Sequence, residues 1–384
     1  MIKRIGVLTG GGDCPGLNNA MKWVVKAADD ANQETHTGDR WEVVGIRDGW
    51  AGLVRYSPRN PVLPGGQDFG PGDYARVLLE TDVRTWDRMG GTRLGSSRTN
   101  PFAKGKEAWE DVLRNIDEIG LHALVAIGGD DTLSVAWRLW EKGVNMVTIP
   151  KTIDRDLRGT DYTLGFETAV NVIVEEIDRL RTTAASHSRT FVVETMGRHA
   201  GHLALAGGLA TGADVVLIPE VPFEMDRIVE ILKEKLREDR YAIVIAAEGA
   251  SEAGRGLITR GGGPAQRDQF GHVVLGGIGK TIEDRLALAL DVEVRSVVLS
   301  HLQRGGKPCA YDRRMGRLFG IGAMALVILG DFGKMVAWRG GRVRAVPIPH
   351  ADDNVRHVNI DERYDAEHYC GKLTVLPDNH LKIV

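Results

Sequence analysis

Short runs of β-branched residues alternate with longer amphipathic segments along most of this chain, and that rhythm restricts the fold more than any other feature. The stretches RIGVLT, WEVVGIR, ALVAIGG, NMVTIPK, TFVVETM, DVVLIPE, YAIVIAAEG and VRSVVLSHL read as strands. Between them GLNNAMKWVVKAADD, KGKEAWEDVLRNIDEIG, TLSVAWRLWEKG, FETAVNVIVEEIDRLRTTAASH and RIVEILKEKLRED read as helices. A parallel neighbour needs a crossover, so alternation at this spacing builds βαβ units and a largely parallel sheet. In open α/β sheets, ligands collect outside the carboxyl ends of the strands. Here those ends carry glycine pairs followed by polar or charged residues. The 48 glycines among 384 residues are nearly twice the usual share, and they cluster after apolar runs instead of forming a linker.

Length and composition set the outer limits. A chain of 384 residues with 43% apolar and 26% charged residues implies two domains, or one large α/β unit with a cleft. A net charge of −3 gives no electrostatic case for nucleic acid or an anionic membrane as the main partner. Cys14, Cys309 and Cys370 show neither C-x-x-C spacing nor a disulfide framework, so a reducing cytoplasm is expected. The opening MIKRIGVLTGGG reads as a strand and turn, too short in its apolar part for a signal peptide. No apolar run approaches the length of a membrane span. Residues 32–40 (NQETHTGDR) read as a surface insertion, and the polar tail from about 348 carries no legible signature.

Several turns carry chemistry. VLTGGGDCPGLNNAM takes a strand through three glycines into a helix, letting backbone approach an anion. A bare tight turn is the competing reading, and Asp13, Pro15 and Asn18 sharpen the pattern. GGTRLGSSR ends in Arg98, placed for phosphate contact, although a lone arginine is more often a surface residue. VAIGGDDTLSV delivers Asp130 and Asp131 to a turn that otherwise suits a phosphate. In TIPKTIDRDLRG, Thr152, Asp154 and Asp156 alternate and would share one face of an extended segment. Two carboxylates and a hydroxyl there suit proton abstraction and metal positioning, against the alternative of a solvated acidic loop. Arg189, Arg198, Arg295, Arg304 and His301 lie near other strand ends, a set suited to a sugar phosphate.

TGGGDCPGLN, GGTRLGSSR, IGGDDT, PKTIDRD, MGR, EGA and SHLQRGG occur in the order and spacing of the phosphofructokinase family, which the chain resembles over roughly residues 1–345 apart from the insertion. The resemblance implies two Rossmann-like three-layer α/β/α domains facing across an active-site cleft. Residues 1–163 plus about 304–345 would form the phosphoryl-donor domain and 164–303 the fructose 6-phosphate domain, with 346–384 a C-terminal extension of unassigned role. It further implies that Asp154 is the general base toward the sugar 1-hydroxyl and that Thr152 orients the transferring group. Asp156 would steer base and metal, and Arg198 would neutralise developing charge. Asp130 would hold Mg²⁺. Gly12, Arg98, Asp131 and Lys151 would bind the donor. Met196, Gly197, Glu248, Arg189, Arg295, His301 and Arg304 would bind fructose 6-phosphate, with Arg189 and Arg295 reaching into a neighbouring subunit of a homodimer or homotetramer.

Two departures bear on the donor. ATP-dependent bacterial members carry glycine at the positions of Asp131 and Lys151. A carboxylate at 131 would meet the α-phosphate of ATP. At about 4 Å and an effective dielectric near 20, that contact costs about 4 kcal/mol. Inorganic pyrophosphate has no α-phosphate, and a lysine ammonium at 151 could reach it. The pair is the pattern of pyrophosphate-dependent members, whose reaction is reversible. An ATP-dependent enzyme that tolerates Asp131, and a simple helix N-cap role for Asp131, are the competing readings. Sedoheptulose 7-phosphate is a conceivable second sugar.

A further departure concerns regulation. Lys22, Lys26 and Arg181 match basic positions of an effector site, but a later lysine pair is replaced by REDR at 237–240, so little nucleotide allostery is expected. An NAD or lipid kinase sharing only GGD, and a non-catalytic regulatory subunit, fit less well. The first would lack the later motifs, and the second would lack Asp130, Asp154, Asp156 or Arg198.

Overall fold

The computed structural model describes residues 1–34, 38–103, 105, 108–258, 273, 275–349 and 355–372. The chain opens with β1 (Ile2–Thr9), α1 (Leu17–Glu34), β2 (Arg40–Ile46), α2 (Trp50–Arg55), β3 (Ala75–Val77), α3 (Glu80–Val83), α4 (Trp109–Ile119), β4 (Leu121–Gly128), α5 (Asp130–Glu141) and β5 (Met146–Pro150). It continues through α6 (Phe166–His187), β6 (Thr190–Thr195), α7 (His202–Thr211), β7 (Val215–Leu217), α8 (Met225–Glu238), β8 (Ala242–Ala247), α9 (Ile278–Ala289) and β9 (Val294–Val298). It then returns through α10 (Ala310–Leu329), β10 (Lys334–Arg339) and β11 (Arg342–Pro347).

Two sheets result. The first has the order β11-β10-β5-β4-β1-β2-β3, parallel except for its two edge strands. The second, β7-β8-β6-β9, is parallel throughout. The period of two along each strand explains the layering. Ile5 and Val7 of β1, with Val125 and Ile127 of β4, pack in one core with Met21 of α1 and Phe319 of α10. Leu8, Leu124 and Ala126 point the other way, into a core with Ile116 of α4 and Leu133 of α5. The first sheet is thus sandwiched between helices, and the chain is a two-lobed α/β protein.

All eight strands read from the sequence are present. β3, β10 and β11 were not read from the sequence, nor were the short α2 and α3 or the longer α7, α9 and α10. α7 is glycine- and alanine-rich and mostly buried, so it lacks the amphipathic stripe by which an isolated helix is recognised; in α10 the stripe is blurred by exposed apolar residues, Ile321, Ile328 and Leu329, on its outer face. The 32–40 stretch divides between the end of α1 and the start of β2, with residues 35–37 outside the described residues. The tail is described for 355–372 only; residues 350–354 and 373–384 lie outside. Val358, Tyr364 and Tyr369 of the tail are buried.

The lobes are joined by a buried polar knot. The Asp312 carboxylate, at the start of α10, accepts from Tyr162 Oη and Gly165 N at 2.7 Å, Thr168 Oγ1 at 2.6 Å and Thr168 N at 3.0 Å. A buried carboxylate is tolerated because its lone pairs are met. Burial nonetheless pushes it above the usual carboxylate range.

Candidate active site

The carboxyl ends of β1, β4 and β5 face those of β6, β8 and β9, and the cleft between them is lined by residues of both lobes. On the first-lobe side, Gly11, Gly12 and Asp13 turn the chain after β1. β4 runs into Gly129, which occupies the cap position of α5. Asp130 and Asp131 therefore lie in the first turn of that helix, and Asp131 is not its N-cap. Acidic residues in a first turn are compatible with the helix dipole. Both line the cleft.

Lys151 ties these turns together. Its N–H donates to the Gly128 carbonyl at 2.9 Å, and its Nζ donates to the Gly12 carbonyl at 2.5 Å. The residue is only 3% exposed. Burial pulls its ammonium below the usual lysine range; the carboxylates of Asp130 and Asp13 oppose that pull.

The loop after β5 carries Thr152, Asp154 and Asp156, all on the cleft wall. Thr152 Oγ1 accepts from the Asp154 N–H at 3.1 Å, fixing the start of the loop. Asp154 Oδ1 is buried without a hydrogen-bond partner among the described residues. Burial raises the Asp154 carboxyl, opposed by Arg304 and Arg198. Asp156 is raised well above its ordinary value by burial and then by Asp154 and Asp130. A proton acceptor surrounded by cations in a partly dry site is equipped to deprotonate a hydroxyl while a phosphoryl group is held beside it.

The opposite wall is set by two linked turns. The Glu248 N–H donates to the Thr195 carbonyl at 2.8 Å and the Gly249 N–H to the Gly197 carbonyl at 3.1 Å. Gly197 has φ +126°, a conformation that L side chains rarely adopt, and a β-carbon there would press on the Ala200 carbonyl. The pairing sets Glu248 beside Arg198. Burial, reinforced by Asp154 and opposed by Arg198, pushes Glu248 up to about 7. Arg304 reaches across the cleft from the 3₁₀ turn Ser300–Arg304. Its Nε donates to Met196 Sδ at 3.2 Å, and its guanidinium lies against Gly12. His301 lines a cavity of about 450 Å³ shared with Met196, Glu248 and Arg304, a volume that suits a small polar ligand. Arg98 lines the cleft from the donor wall to this cavity.

The fold brings most of the sequence-derived candidates together. Arg189 and Arg295 stand apart: neither is among the residues lining the cleft, and both pair with Glu293. Arg189 Nε contacts Glu293 Oε2, and Arg295 Nη2 lies 2.5 Å from Oε1. Lys22 pairs with Asp87, Lys26 with Asp30 and Glu80, and Arg181 donates to the carbonyls of Thr211 and Gly212.

Sequence reasoning missed Glu194, Gly276 and Gly277, which line the sugar-sized cavity. Glu194 accepts from the Gly277 and Gly279 N–H groups at the start of α9. The GGIG turn before α9 was the available signal, but the helix behind it was not recognised.

Asp130, Asp154 and Asp156 act electrostatically on one another, and one buried carboxylate oxygen lacks a partner. Among the described residues, no group of three His, Cys, Asp or Glu side chains is arranged to hold a metal ion alone. That donor set fits Mg²⁺, which takes one or two carboxylates and fills its sphere with phosphate oxygens and water. Among the described residues no helix is long and apolar enough to cross a membrane.

The family model for phosphofructokinase matches residues 4–327. The chain is 44% identical to the pyrophosphate–fructose 6-phosphate 1-phosphotransferase of Amycolatopsis methanolica, over 96% of this chain and 100% of that one. It is 42% identical to ATP-dependent 6-phosphofructokinase 3 of Streptomyces coelicolor, over 96% and 99% of the two chains. Its fold matches the crystal structure of the pyrophosphate-dependent phosphofructokinase of Nitrosospira multiformis with a TM-score of 0.76 at 18% identity, covering 96% of this chain and 89% of that one.

Proposed function

The chain belongs to the phosphofructokinase family and is a phosphotransferase, and on that premise we propose that its donor is inorganic pyrophosphate. The reaction moves a phosphoryl group to the 1-hydroxyl of fructose 6-phosphate, giving fructose 1,6-bisphosphate and phosphate, and runs in both directions. One observation carries the donor assignment: Asp131 sits in the first turn of α5, with the buried Lys151 ammonium across the same pocket. In this reading the carboxylate repels the α-phosphate of ATP, while the ammonium, bonded to the Gly12 carbonyl at 2.5 Å, lies on the pocket wall within reach of a short donor. Relatives of comparable identity carry both pyrophosphate- and ATP-dependent names, so resemblance alone does not choose between them.

In this reading Asp154 accepts the proton of the sugar 1-hydroxyl as its oxygen attacks phosphorus, and phosphate departs toward Gly12, Arg98 and Lys151. Thr152 orients the transferring group, and Asp156 holds the base and metal in place. Arg198 lies against the charge that builds on the phosphoryl oxygens. Asp130, with Asp156, would hold Mg²⁺, which neutralises phosphate charge when bound. Met196, Gly197, Glu248, His301 and Arg304 bind the sugar phosphate. Arg189 and Arg295, paired with Glu293 away from the cleft, serve a neighbouring subunit's site in a homodimer or homotetramer working in the cytoplasm.

The test is fructose 1,6-bisphosphate formation by purified protein with fructose 6-phosphate and Mg²⁺, offering pyrophosphate or ATP separately. Activity with pyrophosphate alone supports the reading. Activity with ATP alone keeps the family chemistry and overturns the donor assignment.

A further inference from the structure

The C-terminal tail takes no part in the chemistry just described, yet residues 355–358 touch both lobes. Leu157 and Val355 form an antiparallel bridge. The Arg356 N–H donates to the Asp156 carbonyl at 2.6 Å, and Arg158 Nε donates to the Val355 carbonyl at 3.1 Å. The same short stretch then engages the other lobe. His202 Nε2 donates to the Arg356 carbonyl at 2.9 Å, and the Val358 N–H donates to Glu220 Oε1 at 2.8 Å. Glu220 also accepts from the Gly201 N–H, at 3.0 and 3.1 Å to its two oxygens. Gly201 and His202 close the turn that begins with Arg198.

Downstream, among the described residues, the tail is anchored on the second lobe. Tyr364 Oη donates to the Val216 carbonyl at 2.6 Å, and the Val216 N–H donates to the Tyr369 carbonyl at 2.7 Å. The segment is therefore held by one lobe and grips the other at the carboxylate loop. Burial pushes His202 down to about 4, so its ring is neutral at working pH and bonds through Nε2–H without a titration.

We propose that residues 355–358 form a positioning strap, with Arg356 and His202 as positioning residues, that fixes the Asp154–Asp156 loop against the Arg198 turn. The loop has a need for such bracing. Arg155, between the two carboxylates, has φ +55°, a left-handed conformation that persists in a non-glycine residue only when its surroundings enforce it. Arg155 Nε donates to the Asp161 carbonyl at 2.7 Å, and Arg356 Nη1 reaches the same carbonyl at 3.5 Å. The strap thus supports the loop from both its backbone and its side chain. Base and charge-neutralising arginine come from different lobes, and a misplacement of about 1 Å can cost on the order of a hundredfold in rate. The proposal rests on the roles given above to Asp154 and Arg198.

The test uses the full chain. Arg356→Pro deletes the N–H that reaches Asp156, Arg356→Ala removes the guanidinium, and His202→Leu and His202→Gln respectively remove and keep the donor to residue 356. Expected are a kcat about tenfold lower for Arg356→Pro and His202→Leu, KM values within about twofold of wild type, and recovery of most of kcat in His202→Gln. Hydrogen exchange across 152–160 should quicken in Arg356→Pro, and to a lesser degree in Arg356→Ala, while β4 and β6 stay protected. A wild-type kcat with unchanged exchange in either Arg356 variant overturns the strap, as does a His202→Gln variant as impaired as His202→Leu. Wild-type protein that forms no fructose 1,6-bisphosphate with either donor would instead overturn the proposed function, and the exchange measurement would still decide the strap.

Discussion

The Arg304 guanidinium fills the space that a β-carbon on Gly12 would need. Gly12 belongs to the turn after β1, and Arg304 reaches it from the turn after β9 on the far side of the cleft, resting on Met196 as it does so. One arginine therefore touches the donor-side glycine turn and a sugar-side residue together. Gly12→Ala should displace it, lowering kcat/KM for both substrates by about ten- to hundredfold in steady-state kinetics, on the scale of one lost charge-assisted contact. An effect confined to one substrate would show that Arg304 serves only one side.

Donor choice can be read in two substitutions. Asp131→Gly should raise the ratio of ATP-dependent to pyrophosphate-dependent rate by removing the carboxylate from the first turn of α5. Lys151→Gly should lower pyrophosphate-dependent kcat/KM by about a hundredfold, because a buried ammonium facing an anion is lost. Wild-type donor ratios in both variants would remove the electrostatic argument.

Asp154→Asn separates activity from stability. If Asp154 is the proposed general base, its loss should reduce kcat by about 10²- to 10⁴-fold. Melting temperature should hold or rise, since the change replaces a buried carboxylate with an unpartnered oxygen by a neutral amide. Calorimetry beside a progress-curve assay checks both.

Glu248 predicts a pH dependence of stability. Its carboxyl is raised from 4.5 to about 7, so between those values the folded ligand-free protein holds a proton that the unfolded chain releases. Its contribution is fully present below pH 4.5 and is lost as pH rises toward 7. Asp154 and Asp156, also raised, act in the same sense. Glu248→Gln should flatten the fall in melting temperature across pH 4.5–7 relative to wild type, as followed by thermal unfolding.

Lys22 and Lys26 are already paired with carboxylates, and Arg181 is spent on two backbone carbonyls. An anionic effector would have to displace those partners. Rate against fructose 6-phosphate concentration should be hyperbolic, and a nucleoside diphosphate should shift its midpoint by less than about twofold, below the roughly fivefold of an ordinary allosteric coupling, because the basic groups it would need are already engaged. A sigmoidal curve relieved by the diphosphate would overturn this.

Much of the site was legible because its parts are local. A strand, a glycine turn and the residue after it are contiguous, so GGGD, GGDD and PKTIDRD announce both their geometry and their place at a sheet edge. Helices with one apolar stripe, such as α4 and α8, were legible for the same reason. The buried helix α7 was not, because apolar residues on every side leave no period to detect, and in α10 exposed apolar residues such as Ile321 and Leu329 blur the period.

The sequence by itself determined the α/β layering, the order of the phosphate-type turns and the paired departure at Asp131 and Lys151. The strand–helix alternation and each glycine turn are set by residues close in the chain, where connectivity fixes the geometry; Asp131 and Lys151 stand in separate turns, after β4 and β5, and their common pocket belongs to the fold. The tertiary structure alone decided which distant groups meet: Arg304 against Gly12, the Asp312 carboxylate under Tyr162 and Thr168, Arg356 on the Asp156 carbonyl, and Glu293 between Arg189 and Arg295. It also decided how far burial shifts Glu248 and Lys151. Such contacts and desolvation depend on how two lobes pack across a cleft. That packing is a sum over many weak interactions among residues far apart in the chain, and no local pattern records it.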